Sequence, residues 1–89
     1  MRQINSMFHI DGEQLVKTSN GQPVPEDEPV FIIRARDKNA VETLTHYIWL
    51  CRMSSTPEDR IADLYEVVDR FKSYANTHQT KTPGWSHGQ

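Results

Sequence analysis

The sequence has neither the cysteines for a cross-link nor an apolar run for a membrane span. Its 89 residues include one cysteine, Cys51, so an internal disulfide is excluded and a reducing compartment is expected. The longest strictly apolar runs, residues 31–33 and 48–50, are far too short to cross a bilayer. The polar N-terminal residues lead into no apolar run typical of signal peptides. These features predict a soluble, cytoplasmic protein.

Apolar side chains are also scarce. They make up 36% of the chain, whereas about 45–50% (a figure that also counts glycine) is usual in globular domains. A chain of 89 residues is expected to form a single domain. A domain of this size buries only about 60–65% of its unfolded surface. Because association often supplements so thin a core, we expect a homo-oligomer.

The chain has no surplus of positive charge. Ten basic and twelve acidic side chains give a formal net charge of −2. Proteins that bind DNA or RNA without sequence preference usually carry a basic surplus. Nucleic acid is therefore not expected as a partner.

Signatures of catalysis and of metal binding are missing from the sequence. It has no G-x-S-x-G, no H-E-x-x-H and no glycine-rich phosphate loop. Cys51 and His46 lie five positions apart on a predicted helix and so face different sides, and Cys51 falls on the apolar stripe. The four histidines share no zinc-ligand spacing. We expect a non-enzymatic protein without catalytic residues, metal or cofactor.

Residues 1–36 are predicted to form strands and turns. Residues 7–10 and 15–17 flank Asp11-Gly12, a dipeptide that favours a tight hairpin turn. Asn20-Gly21 is a second dipeptide of the same kind. The N-terminal third is therefore expected to contain an antiparallel ribbon.

The next segment combines prolines, acidic residues and an apolar run. Prolines at positions 23, 25 and 29 remove backbone donors, so an extended surface connector is expected here. The connector carries the acidic run 26–28, Glu-Asp-Glu. Residues 30–33 (VFII) are β-branched and aromatic without alternation, which makes them the strongest strand prediction in the chain.

A first helix is predicted over residues 39–53. Asn39, with Glu42 three positions later, fits a capping box, and Asp37 is a competing cap. Helical spacing gives this segment one apolar stripe, formed by Val41, Leu44, Ile48 and Cys51. The pattern ends at the serines 54 and 55.

A second helix is predicted over residues 57–76. Thr56 is the predicted cap, Pro57 occupies the first helical position, and Glu58 and Asp59 follow where the helix dipole favours anions. Apolar residues keep helical spacing over four turns: Ile61, Leu64, Tyr65, Val68, Phe71 and Ala75.

The short loop between the two helices predicts an antiparallel hairpin. The predicted fold class is α+β: a small antiparallel ribbon or sheet in the N-terminal third, packed on a C-terminal two-helix hairpin. Residues 77–89 are expected to form an irregular tail. An all-α protein with an irregular N-terminal arm is the alternative.

Positive charge is concentrated just before the first helix, at Arg34, Arg36 and Lys38, which precede Asn39. A strand, a polar turn and a helix N-terminus in succession direct backbone N–H groups and the helix dipole toward one point, as in anion sites. The three cations would add charge-assisted contacts to a phosphate. In the alternative interpretation, the arginines pair with the acidic run and Lys38 is solvated.

Three aromatic residues are predicted to stack on a ligand or to lie in a subunit interface. Tyr47 lies beside the apolar stripe of the first helix, and Trp49 lies away from it. Because tryptophan is enriched at interface anchors, a second subunit or a planar ligand is expected to cover Trp49. Trp85 is the third and belongs to the tail.

Residues 30–50, VFIIRARDKNAVETLTHYIWL, resemble a pattern found in small proteins of bacterial viruses: an apolar strand, an Arg-x-x-Asp turn and a helix. Within that group the stretch is similar to the Thoeris anti-defence sponges, over roughly a quarter of the chain. Those proteins are oligomers that sequester cyclic nucleotide immune signals without degrading them. The resemblance implies a phage protein acting in the host cell cytoplasm. It carries over no ligand-binding residue.

These observations favour a non-enzymatic, phage-type binding protein that sequesters a small nucleotide immune signal and so counters host defence. The alternative is a protein-binding inhibitor or adaptor that docks on a host complex through its helices or its acidic loop. An enzyme is the third hypothesis, and it lacks any constellation of catalytic residues.

Overall fold

The computed structural model describes the backbone of residues 2–82 and the side chains of residues 4–82. The chain divides between Phe31 and Ile32 into two compact units. An antiparallel sheet lies in the N-terminal unit and two helices lie in the C-terminal unit. This confirms the α+β fold class. The single domain expected from chain length stays a prediction.

The sheet consists of three short antiparallel strands in the order β1-β2-β3. They span Arg2–Gln3 (β1), Phe8–Asp11 (β2) and Gln14–Lys17 (β3). Between β2 and β3, Gly12 adopts a φ of +64°, a left-handed conformation that glycine tolerates better than other residues. The predicted hairpin at this dipeptide is confirmed.

The outer edge of β3 is occupied by the chain that follows it. Gly21, with a φ of +71°, turns the chain back. The N–H of Val24 then donates to the carbonyl of Leu15 at 2.8 Å, and Pro23 forms an isolated bridge with Val16. Proline is tolerated here because an edge position needs no donor on its outer side.

Residues 30–33 form no strand, so the strongest strand prediction was wrong. Phe31 is 88% exposed, and Val30 and Ile32 are also exposed. High β-propensity describes how a side chain fits a pleated surface, and a strand still needs a partner with a free edge. The nearby edge of β3 is already paired. The apolar strand of the viral pattern is likewise not formed.

The first helix, α1, spans Ala40–Met53 and ends where predicted. Asn39 occupies the cap position, but its side chain makes no capping hydrogen bond, so the predicted capping box was wrong. Asp37, the competing candidate, does not occupy the cap position either, and its carboxylate accepts the N–H of Asn39 at 2.8 Å in the turn before the helix. Its own carbonyl accepts the N–H of Ala40 at 3.0 Å.

The second helix, α2, spans Glu58–Thr77 and starts one residue later than predicted. Pro57, with φ −56° and ψ 146°, holds the cap position, and no side chain caps this end, so the assignment of Thr56 was wrong. The N–H of Thr56 donates instead to the carbonyl of Cys51 at 3.0 Å. Thr56 therefore belongs to the end of α1.

The hairpin core lies between the facing sides of α1 and α2. Its buried members are Ile48, Cys51, Ile61 and Val68, with Val41, Leu44 and Leu64 packed around them. The predicted apolar stripe of the first helix is therefore confirmed. The core is small, as the composition predicted.

Candidate functional site

The segment before α1 is a tight, internally bonded turn. The N–H of Asp37 donates to the carbonyl of Arg34 at 3.1 Å. The carboxylate of Asp37 accepts the N–H of Asn39, and the carbonyl of Asp37 accepts the N–H of Ala40. The turn therefore holds Arg34, Arg36 and Lys38 on a backbone that is fixed to the first turn of α1.

Lys81, which follows α2, joins this turn through its backbone. The N–H of Lys38 donates to the carbonyl of Lys81 at 2.9 Å. The N–H of Lys81 donates to the carbonyl of Arg36 at 2.7 Å. These two bonds form a parallel bridge between Asp37 and Lys81. The backbone of a fourth cationic residue, Lys81, therefore pairs with the turn that carries the three predicted ones. We call Arg34, Arg36, Lys38 and Lys81 the cationic cluster.

The cationic cluster is a local concentration of positive charge in a chain whose formal net charge is −2. The side chains of Arg34, Lys38 and Lys81 are exposed, and that of Arg36 is half-buried. One acidic residue, Asp37, interrupts the cluster, and its carboxylate is engaged by the N–H of Asn39. Clustered charges of one sign raise the local concentration of counter-ions and favour the capture of anions.

The backbone donors of the predicted anion site are already engaged. Lys38 donates its N–H to Lys81, and Asn39 donates its N–H to Asp37. The carbonyl of Asn39 in turn accepts the N–H of Thr43 at 3.0 Å and its hydroxyl at 2.8 Å. An anion at this site would therefore not be held by the N–H groups of Lys38 and Asn39, and side chains of the cationic cluster would have to contact it.

Tyr47 lies on the flank of α1 and is 53% exposed. Its pKa is raised above the ordinary value by a hydrogen bond with the Cys51 thiol, by the charge on that group when ionised and by partial burial. The nearby Arg60 guanidinium opposes this effect and lowers the pKa. The interaction with Cys51 therefore links Tyr47 to the edge of the hairpin core.

Trp49 lies on the opposite flank of α1 and is 54% exposed. Its indole stacks on the ring of His46, with the ring centres 5.7 Å apart and the planes 19° from parallel. Two positions along a helix correspond to a rotation of about 200°. Tyr47 and Trp49 therefore cannot stack on one planar ligand. Trp85, the third predicted aromatic residue, lies outside the described residues.

Cys51 is buried in the hairpin core, whereas His46 is exposed. Among the residues that the structure describes, no three His, Cys, Asp or Glu side chains converge as metal ligands would. Within the same part of the chain, neither helix combines the length and the apolarity that crossing a membrane requires.

Sequence reasoning missed two features of this unit. Lys81 could not be found from local pattern, because only backbone pairing with Arg36 and Lys38 brings it to the cluster. The exposed apolar residues Leu50 and Met53 could have been found. Together with His46 and Trp49 they repeat at helical intervals of three and four, on the side opposite the buried stripe.

The N-terminal unit contains a shallow cleft of about 330 Å³. Its apolar lining comes from Leu15, Pro23, Val24, Pro25 and Val30. Three glutamates, Glu13, Glu26 and Glu28, also line it, and two of these belong to the predicted acidic run. An apolar floor bordered by carboxylates suits a ligand that carries both apolar and basic groups.

No protein-family model, curated protein or solved structure matches the chain.

Proposed function

We propose that this protein is a non-enzymatic, phage-type binding protein that sequesters a small nucleotide immune signal through its cationic cluster. The observation that carries the proposal is the backbone pairing of Lys81 with Arg36 and Lys38, which brings the backbone of a fourth cationic residue to the predicted site. Sequestration requires affinity and no chemistry, so it is compatible with the lack of catalytic motifs in the sequence.

The cluster has the chemistry that a phosphate needs. Guanidinium groups bind phosphate oxygens through paired N–H donors, and ammonium groups act as compact point charges. Three of the four side chains are exposed and can move onto a ligand without unfolding the turn. Asp37 stabilises the turn, because its carboxylate oxygen accepts the N–H of Asn39.

Titration calorimetry against a panel of cyclic nucleotides tests this proposal. A hydrogen bond to a charged group contributes about 1.5–3 kcal/mol, so Arg34→Ala and Lys81→Ala should each weaken binding by about ten- to a hundredfold. Arg70→Ala removes one exposed cation from α2 and is the matched control. Affinity should also fall as salt is raised. Equal affinity in all three variants would mean that the nucleotide, if bound, is bound elsewhere.

Asp37→Asn separates the charge of the turn from its structure. The amide oxygen of asparagine can still accept the N–H of Asn39, so the helix start should be kept. Removing the one negative charge inside the cluster should strengthen the binding of an anion. Unchanged or weaker affinity in a variant of unchanged stability would contradict a site at the cluster.

The identity of the ligand is best sought without choosing candidates in advance. The full chain would be purified from cells in which nucleotide-signalling defence is active, and the small molecules it releases on denaturation would be identified by mass spectrometry. A phosphate-bearing compound released from the parent chain and lost from Lys81→Ala would support the proposal.

A second candidate function is that of a protein-binding inhibitor or adaptor that docks through its acidic loop. The cleft lined by Glu13, Glu26 and Glu28 favours it, because three carboxylates beside an apolar floor complement a basic segment of a partner. Affinity capture from host lysate would be compared between the parent chain and Glu26→Lys, with Glu66→Lys on α2 as the charge-matched control. A partner lost only from Glu26→Lys supports docking at the cleft.

A further inference from the structure

The outer face of α1, defined here as His46, Trp49, Leu50 and Met53, is largely apolar although it points away from α2. Leu50 is 47% exposed, Met53 is 69% exposed and Trp49 is 54% exposed. The same two helical turns bury Ile48 and Cys51 on the inner side. A helix that is apolar around its whole circumference is normally covered on all sides.

Charge is nearly absent from this part of α1. Arg52 is the one Lys, Arg, Asp or Glu between positions 46 and 53. Its guanidinium donates to the hydroxyl of Tyr65 on α2 at 3.4 Å, so it is directed toward the neighbouring helix. The outer face therefore presents no fixed charge that would repel an identical surface.

The outer face supplies much of the apolar area of one side of a dimer interface. A large side chain of these types presents about 200 Å² when fully exposed, so Trp49, Leu50 and Met53 leave about 340 Å² accessible. A homodimer interface of standard size buries about 800 Å² on each partner, of which about 500 Å² is apolar. These three side chains alone therefore provide about two thirds of that apolar area.

We propose that the outer face of α1 binds the outer face of α1 in a second copy of the chain. Trp49 and Leu50 lie at the centre of the face, and His46 and Met53 lie at its two ends. In an antiparallel, two-fold arrangement, Trp49 meets Leu50 of the other copy and His46 meets Met53. Each apolar side chain is then covered by another, and the thin core gains apolar burial.

Sedimentation equilibrium of the full chain across the micromolar range tests the dimer. The parent chain should sediment as a dimer, and Leu50→Lys and Met53→Lys should each weaken association by at least about tenfold, because burying an unpaired ammonium is costly. Ser73→Lys adds the same charge to an exposed position on α2 and should leave association unchanged. A folded parent chain that stays monomeric would overturn the proposal, as would a dimer equally stable in all three variants.

Tryptophan fluorescence tests the same contact without changing the face. In a Trp85→Phe background, Trp49 alone reports, and its emission should shift to shorter wavelength as the protein concentration rises through the dimerisation range. An emission maximum independent of concentration, in a chain that sedimentation shows to dimerise, would place the interface elsewhere. Capture of a foreign protein by a monomeric chain, lost in Met53→Lys, would also overturn the homodimer. Neither readout requires a nucleotide, so this proposal and the proposed function fail independently.

Discussion

The two sides of α1 are both apolar, yet the residues that the structure describes cover only one of them. Ile48 is 3% exposed because α2 packs against it, whereas Met53 is 69% exposed on the outer side. Both sides repeat at intervals of three and four, so periodicity alone cannot distinguish them. An apolar stripe on a helix therefore predicts a contact, but it does not indicate whether the same chain supplies that contact.

The largest expected change in stability tests this contrast between the two sides of α1. Ile48→Ala should lower the free energy of unfolding by about 2–4 kcal/mol, through lost burial and the cavity left in the hairpin core. Leu50→Ala, on the outer side, should lower the free energy of unfolding by no more than about 0.5 kcal/mol in solution dilute enough to keep the chain monomeric. Urea unfolding followed by circular dichroism measures both. Equal losses of stability in Ile48→Ala and Leu50→Ala would mean that the outer side is also packed within the monomer.

The second prediction compares the two helix starts. Asp37→Ala removes the carboxylate that accepts the Asn39 N–H, and should cost about 1 kcal/mol of stability. Thr56→Ala should change stability by less than about 0.5 kcal/mol, because no side chain caps the start of α2. Thermal and urea unfolding of the two variants supply the comparison. A larger loss from Thr56→Ala than from Asp37→Ala would restore the capping role assigned from the sequence.

The smallest change in stability is expected at the junction between the two helices. Ser55 has a φ of +62°, in the left-handed region where a side chain is strained, and it follows the cap residue of α1. Ser55→Gly should therefore raise the free energy of unfolding by about 0.5–1 kcal/mol. Ser54→Gly, at a position with φ −96°, is the control and should not stabilise the protein. Destabilisation by Ser55→Gly would show that the serine contributes more than backbone geometry.

The features that sequence predicted well depend on local patterns. The Asp11-Gly12 turn needs only one residue at positive φ, and Gly12 provides it. The buried stripe of α1 follows from helical period, and its members Ile48 and Cys51 are in the core. The strand over residues 30–33 failed because a strand also depends on a free edge elsewhere in the sheet.

The candidate site also combines features that are visible in the sequence with features that depend on distant residues. The sequence identified Arg34, Arg36 and Lys38, because three cations in five residues are visible by inspection. The pattern also predicted that backbone N–H groups of this segment face an anion, but those of Lys38 and Asn39 donate to Lys81 and Asp37. Whether a donor is free depends on the whole chain, since any carbonyl or carboxylate that reaches it will satisfy it.

The two helices, the hairpin turn at Gly12 and the position of the three neighbouring cations follow from local sequence. Each of these depends on residues within a few positions of one another, for which backbone conformation and helical period are sufficient physical causes. Contacts between distant parts of the chain bring the backbone of Lys81 to the cluster, leave residues 30–33 outside the sheet and leave the outer face of α1 exposed. Those outcomes depend on which distant groups meet, because hydrogen bonds and apolar burial are satisfied by contact and not by composition.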